Sequence, residues 1–258
     1  EWCERAVAAT EQDSLELAEK CIRQALKLEP ANPRNALLFS NLGTIQRSQR
    51  RHEQALESYR LALNMAPMSV PILMNHATLS LELGQNDKAR ADYSQVIELE
   101  PHNAEALLMR AYIYMQQRDY KFARLDYDTL LKVDPQNYSA RLGLATLCQR
   151  EVRYDEALVV LDGMLADKGG TRPYTTGELA TVCVARAGVE LDMLKPDQAL
   201  LDLDEAIRLD PRQSEAYLMR GRVHLMLKKK TLAKRDLEKA ASLGVPQSEV
   251  RELMNKCK

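Results

Sequence analysis

From residue 104 onward the apolar residues fall at steps of three and four: Leu107, Leu108, Ala111, Tyr114 and Met115. That is the spacing of one face of an α-helix. The polar residues Gln116, Gln117, Arg118 and Asp119 follow, and a second stripe then runs through Tyr120, Ala123, Tyr127, Leu130 and Leu131. Pro135 closes the block. Its ring fixes φ and disfavours helix at the residue before it, so the chain must turn there. The block predicts two antiparallel helices of about 12–15 residues joined by a short polar turn. A strand reading fails, because alternation with a period of two is missing and Ala, Leu, Glu, Lys and Arg dominate.

The same block recurs. AEALLMRAYIYM at 104–115 returns as SEAYLMRGRVHLM at 214–226. LKLEP, LNMAP, IELEP, LKVDP and IRLDP end at Pro30, Pro67, Pro101, Pro135 and Pro211, and an alanine stands twelve residues before each: Ala18, Ala55, Ala89, Ala123 and Ala199. Ala157 and Ala233 extend the series, and the steps between these alanines are 37, 34, 34, 34, 42 and 34. The unit is therefore 34 residues, repeated seven times, with three extra residues after the first unit and eight after the fifth. A period of this size signals a stacked array in which no unit buries its apolar face alone.

At these positions the chain resembles the tetratricopeptide repeat family. The second unit carries the pattern with Phe39, Leu42, Gly43, Ala55, Tyr59, Ala62 and Pro67, the fourth with Leu107, Ala111, Tyr114, Ala123, Tyr127 and Pro135, and the seventh with Tyr217, Gly221, Ala233, Leu237 and Ala240. Trp2 takes the large position of the first unit; the fifth departs most, with Arg141 there and Gly169 in place of proline. The resemblance implies an all-α, right-handed superhelical solenoid of antiparallel helix pairs. The small column Gly43, Ala77, Ala111, Ala145, Ala187 and Gly221 falls where paired helices cross, and large residues such as Tyr59, Tyr93 and Tyr127 fill the gap to the next unit.

The expected organisation is repeats 1–5 over 1–171, an inserted loop at 172–179, repeats 6 and 7 over 180–247, and a capping helix at 248–258. In the last segment Val250, Leu253, Met254 and Cys257 fall on one stripe. The start has no matching cap, since Trp2 already belongs to the first helix. Either more chain precedes it or self-association covers that end.

Composition narrows the function. With 36 basic and 37 acidic residues among 258, the net charge of −1 argues against a general nucleic-acid binder. No apolar run reaches the roughly 18–20 residues that span a bilayer. The cysteines (3, 21, 148, 183, 257) form no CxxC pair, and no two of the histidines (52, 76, 102, 224) lie one helical turn apart, so they are read as packing or surface residues, and no metal or other cofactor is implied. Asp126 and Asp128, with arginines nearby, are read as a solvated charged face. No P-loop, GxGxxG, HExxH or GxSxG occurs, and nothing marks a catalytic pocket.

In the family, the first helix of each repeat lines a concave groove. By alignment the binding positions here are Thr44 and Arg47, Met74 and Thr78, Leu108, Tyr112 and Met115, Leu142, Thr146 and Gln149, and Leu218 and Arg222. Ser40, Leu81, Val184, Gly188, Leu191 and Leu225 complete the lining. An apolar strip of this kind suits a partner segment, methionines adapt to varied side chains, and Tyr and Arg are frequent hot-spot residues. The lysines of the family's carboxylate clamp are absent: those places carry Ser40 and Thr44, Met74 and Thr78, and Leu108 and Tyr112. The expected function is a non-enzymatic scaffold or adaptor that binds an apolar peptide or protein segment. The alternatives are a structural module that self-associates, through the N-terminal end, and the regulatory repeat region of a larger enzyme. A basic edge (Arg50, Arg51, Arg118, Lys121, Arg150, Arg153, Lys195, Lys228, Lys229, Lys230) complements helix dipoles or steers an acidic partner. Localisation stays open: dispersed cysteines suit the cytoplasm, and the missing initiator Met suits export to a periplasm-like compartment with a leader removed.

Overall fold

The computed structural model describes residues 1–12, 14–166 and 173–257. Gly169, the side chain of Cys3 and the start of the predicted inserted loop lie outside the described residues. The described residues form fifteen helices: α1 (Trp2–Glu11), α2 (Leu15–Leu28), α3 (Asn35–Ser48), α4 (His52–Met65), α5 (Val70–Glu82), α6 (Asn86–Leu99), α7 (Ala104–Gln116), α8 (Tyr120–Val133), α9 (Tyr138–Arg150), α10 (Tyr154–Ala166), α11 (Thr176–Asp192), α12 (Pro196–Leu209), α13 (Ser214–Met226), α14 (Lys230–Ser242) and α15 (Gln247–Asn255). Odd-numbered helices open the seven repeats, even-numbered ones close them, and α15 follows the last pair. The protein is an all-α helical-repeat array. Residues Glu1–Asp126 and Tyr127–Lys258 are two compact units.

Helix α11 begins four residues inside the stretch read as a loop from sequence. The cause is a capping box. Thr175 Oγ1 accepts from the Glu178 amide at 3.1 Å, and Glu178 Oε2 accepts from the Thr175 amide at 2.8 Å, so two otherwise orphaned donors are satisfied.

The turns inside the repeats share one geometry. Two residues past the end of α3, α5, α7, α9, α11 and α13 the chain sits in the left-handed region: Arg50 (φ 59°), Gly84 (71°), Arg118 (61°), Val152 (63°), Leu194 (59°) and Lys228 (60°). The next amide reaches back five residues, as from Arg51 to Gln46 O at 2.9 Å and from Arg153 to Cys148 O at 2.8 Å. This is a Schellman turn, whose left-handed position favours glycine. Only the third repeat supplies one there, so the other five side chains stand in a costly conformation that the paired helices over-determine.

The core follows the small columns. Ala18, Ala55, Ala89, Ala123, Ala157, Ala199 and Ala233 are all fully buried, as are Ala77, Ala111 and Ala187 on the opening helices. Small side chains let each pair approach closely, and Tyr59, Tyr93, Leu161, Leu203 and Leu237 fill the remaining space.

One layer of the interior is ionic, against the sequence expectation for Asp126. That carboxylate is buried, and Arg110 binds it through two parallel bonds, Nε to Oδ2 at 2.9 Å and Nη2 to Oδ1 at 2.6 Å. The third guanidinium branch reaches Ser94 on the preceding closing helix, at 3.1 Å. Repeats 6 and 7 repeat the device. Arg186 holds Asp202 (2.6 and 2.5 Å) and Asp162 of α10 (2.7 Å); Arg220 holds Asp236 (2.8 and 2.7 Å) and Asp204 of α12 (2.6 Å). His76 and Asp92 take the same places in repeat 3, 2.6 Å apart. Each arginine ties its own pair together and fastens it to the pair before, in the fork geometry that suits a carboxylate.

Candidate functional site

The opening helices of the first unit (α1, α3, α5, α7) carry the groove positions. Thr44 and Thr78 are satisfied from within. Each hydroxyl donates to the carbonyl four residues back, Ser40 O at 3.2 Å and Met74 O at 2.8 Å, and meets a buried tyrosine hydroxyl, Tyr59 at 3.0 Å and Tyr93 at 3.3 Å. Burial pushes both tyrosine pKa values up, so the phenols stay neutral hydrogen-bond partners. Arg47 is an inter-repeat staple: its Nε donates to Glu82 Oε2 at 2.9 Å, and the pairing raises the guanidinium pKa and lowers that of the carboxyl. Met74, Leu108 and Met115 are half-buried. Tyr112 is 48% exposed.

In the second unit the predicted positions are more engaged. Leu142 and Thr146 are half-buried, and the Thr146 hydroxyl donates to Leu142 O at 2.9 Å. Gln149 donates to Asp192 of α11 at 2.7 Å. Arg222 is ion-paired with Glu249 of α15. Leu218 does not line an open surface: it is 2% exposed and packs with Leu237, Val245 and Val250 where α15 lies over α13 and α14. Val184 is buried as well.

Sequence reasoning missed the first repeat's share of the surface. Val7 stands 37 residues before Thr44, the step of the first repeat, and is 55% exposed. Leu37, 57% exposed, lines with it a cleft of about 700 Å³ whose wall also includes Thr10, Leu38, Asn41 and Thr44. On the first unit's opening helices the exposed large apolar side chains are Val7, Leu37 and Tyr112.

Among the described residues no group of three or more His, Cys, Asp or Glu is placed to hold a metal ion. No described helix is long and apolar enough to cross a membrane. Burial raises the Cys183 thiol to about 11, which leaves it a packing residue.

Among the described residues Glu190 is the one carboxyl whose pKa is strongly displaced. Its Oε2 is buried without a hydrogen-bond partner, and burial together with the nearby charge of Asp202 pushes its pKa to about 7 from an ordinary 4.5. Asp162 adds to the rise, and Arg186 and Lys195 oppose it. The folded chain thus holds this proton more tightly than the unfolded chain. Its stabilising effect is complete below pH 4.5 and is lost as pH rises through about 7. Glu190→Gln keeps the shape without the titration. Thermal melts should show the variant gaining on wild type between about pH 5 and pH 8; a variant that instead loses ground to wild type as pH rises would contradict the assignment.

The family described as cytochrome c-type biogenesis protein H TPR domain matches residues 2–141, more than half the chain, and that described as tetratricopeptide repeat matches residues 184–243. No curated protein matches the chain. Among solved structures, a tetratricopeptide repeat protein from Parabacteroides merdae ATCC 43184 is 31% identical over 99% of this chain and 97% of its own, with a TM-score of 0.80. A chain of the APC/C hetero-tetramer Cut9-Hcn1 is 13% identical over 98% of this chain and 54% of its own, with a TM-score of 0.65. YrrB, described as a TPR protein with an unusual peptide-binding site, is 16% identical over 76% of this chain and 95% of its own, with a TM-score of 0.57. The last two likenesses concern the fold alone.

Proposed function

The chain belongs to the tetratricopeptide repeat family, a fold of protein-interaction scaffolds, and on that premise we propose that it binds an apolar peptide segment along the opening helices of its first unit. The observation that carries the reading is the set of exposed apolar side chains there: Val7 and Leu37, which flank a cleft wide enough for a side chain, and Tyr112 further along on α7. Large apolar groups gain little by facing water, and a contiguous exposed strip of them usually marks a partner site. The threonines and Arg47 of the same surface spend their hydrogen bonds on the scaffold. Apolar anchors, more than a charge clamp, therefore set the affinity. YrrB, of the same fold, supports a peptide as the kind of occupant.

The test is selection from a displayed random peptide library against the whole chain. Apolar sequences should emerge, and Leu37→Asp and Tyr112→Ala should each weaken them about ten-fold or more. Melting temperatures should barely move, because both side chains are exposed. Selected peptides that bind both variants as well as wild type would remove the groove from consideration.

A further inference from the structure

A second surface lies at the other end of the chain and owes nothing to that groove. Between α13, the turn after it, the start of α14 and the end of α15 is a recess of about 390 Å³. Its floor is apolar: Leu225, Leu253 and Met226, the last 58% exposed. Its rim is basic, with Arg222, Lys228, Lys230 and Lys256. Arg222 and Lys256 have carboxylate partners, in Glu249 and Glu252. Lys228, Lys229 and Lys230 have no carboxylate within 4.0 Å among the described residues, although most arginines of the chain are paired. Residues 222–258 hold ten Lys and Arg against four Asp and Glu, in a chain whose net charge is −1, so positive potential is focused at this end.

Local stability does not account for the lysines. Lys230 is the first residue of α14, at the positive end of the helix dipole, and that first turn has no acidic residue. The closing helices α2, α4, α6, α10 and α12 each place at least one carboxylate in that turn, and only α8 shares its absence with α14. Three adjacent, unneutralised cations repel one another besides. Departures from local preference of this kind collect where a partner supplies the missing charge.

We propose that this recess docks an acidic peptide segment, one apolar side chain resting on Leu225, Met226 and Leu253 while flanking carboxylates meet Lys228, Lys230 and Lys256. The apolar floor favours a protein segment over a nucleic acid, since no aromatic ring in the recess offers a base a stacking surface.

The probe is a fluorescein-labelled peptide of about a dozen residues, one leucine among aspartates and glutamates, titrated with the full chain by fluorescence anisotropy. Affinity should fall about ten-fold as salt rises from low to a few hundred millimolar. Lys228→Glu combined with Lys230→Glu should weaken binding at least ten-fold. Met226→Ser should weaken it several-fold and leave the salt dependence unchanged. Leu37→Asp, on the first unit, should have no effect, which separates this site from the groove. The proposal is overturned if the peptide fails to bind at about millimolar concentration in low salt, or binds the charge-reversed variant equally well. It is also overturned if vesicles rich in phosphatidylserine, or a single-stranded oligonucleotide, bind more tightly with the same dependence on these residues.

Discussion

Arg220→Ala is expected to destabilise the protein by about 3–5 kcal/mol, with a matching drop in the urea midpoint followed by circular dichroism. Asp236 is 4% exposed and receives two parallel bonds from this guanidinium, which also holds Asp204 of the preceding closing helix. Removing the arginine strands a buried carboxylate with no full replacement; His224 Nε2 stands 3.6 Å away, and burial lowers its pKa. The variant should recover part of its loss at low pH, where the stranded carboxyl takes up a proton. A second control is Arg208→Ala. Arg208 pairs with Glu205 on the surface, and its loss should leave the midpoint where it was. Equal effects at the two positions would show that burial of the pair does not set its worth.

This ionic layer also marks the boundary of what the sequence discloses. The 34-residue period, the alanine columns and the paired helices are legible because burial of a small residue is written directly into the repeat. Asp126 read alone looks like a solvated residue, because a single helix cannot reveal what its partner brings. The signal was nonetheless present: Arg110 and Asp126, Arg186 and Asp202, and Arg220 and Asp236 each stand sixteen residues apart, as do His76 and Asp92. Thr175 and Glu178 likewise spelled the capping box that starts α11 early. On the candidate surface, alignment located the helix faces but not the reach of their side chains. Arg47, Gln149 and Arg222 are long enough to bond the next opening helix, or α15, and so belong to the scaffold as much as to any ligand. Leu218 vanished from the surface because α15 packs over it, a consequence of tertiary packing that no column records. The lysines of the last turn, read as dipole partners of α13, turn out to crowd the start of α14 as well.

The close approach of paired helices yields the other large effect. A Cβ placed on Gly43 would lie 2.7 to 3.0 Å from the ring of Tyr59, which is fully buried and whose hydroxyl is held 3.0 Å from that of Thr44. The ring cannot swing away without breaking that bond and opening its own packing. Repeat 3 shows how much give the arrangement has: Ala77 and Tyr93 occupy the same places, both fully buried, so one methyl can be accommodated between the paired helices. Gly43→Ala should therefore change stability by no more than about 1 kcal/mol, since the strain is offset by alanine's better helix propensity. Gly43→Leu adds three further carbons with nowhere to go and should cost about 3 kcal/mol. Because each repeat is stabilised through its neighbours, that loss should loosen α1 to α4 first, seen as faster amide exchange there than in Tyr127–Lys258. A leucine variant as stable as the alanine variant would mean that the two helices are not held at the spacing the small column implies.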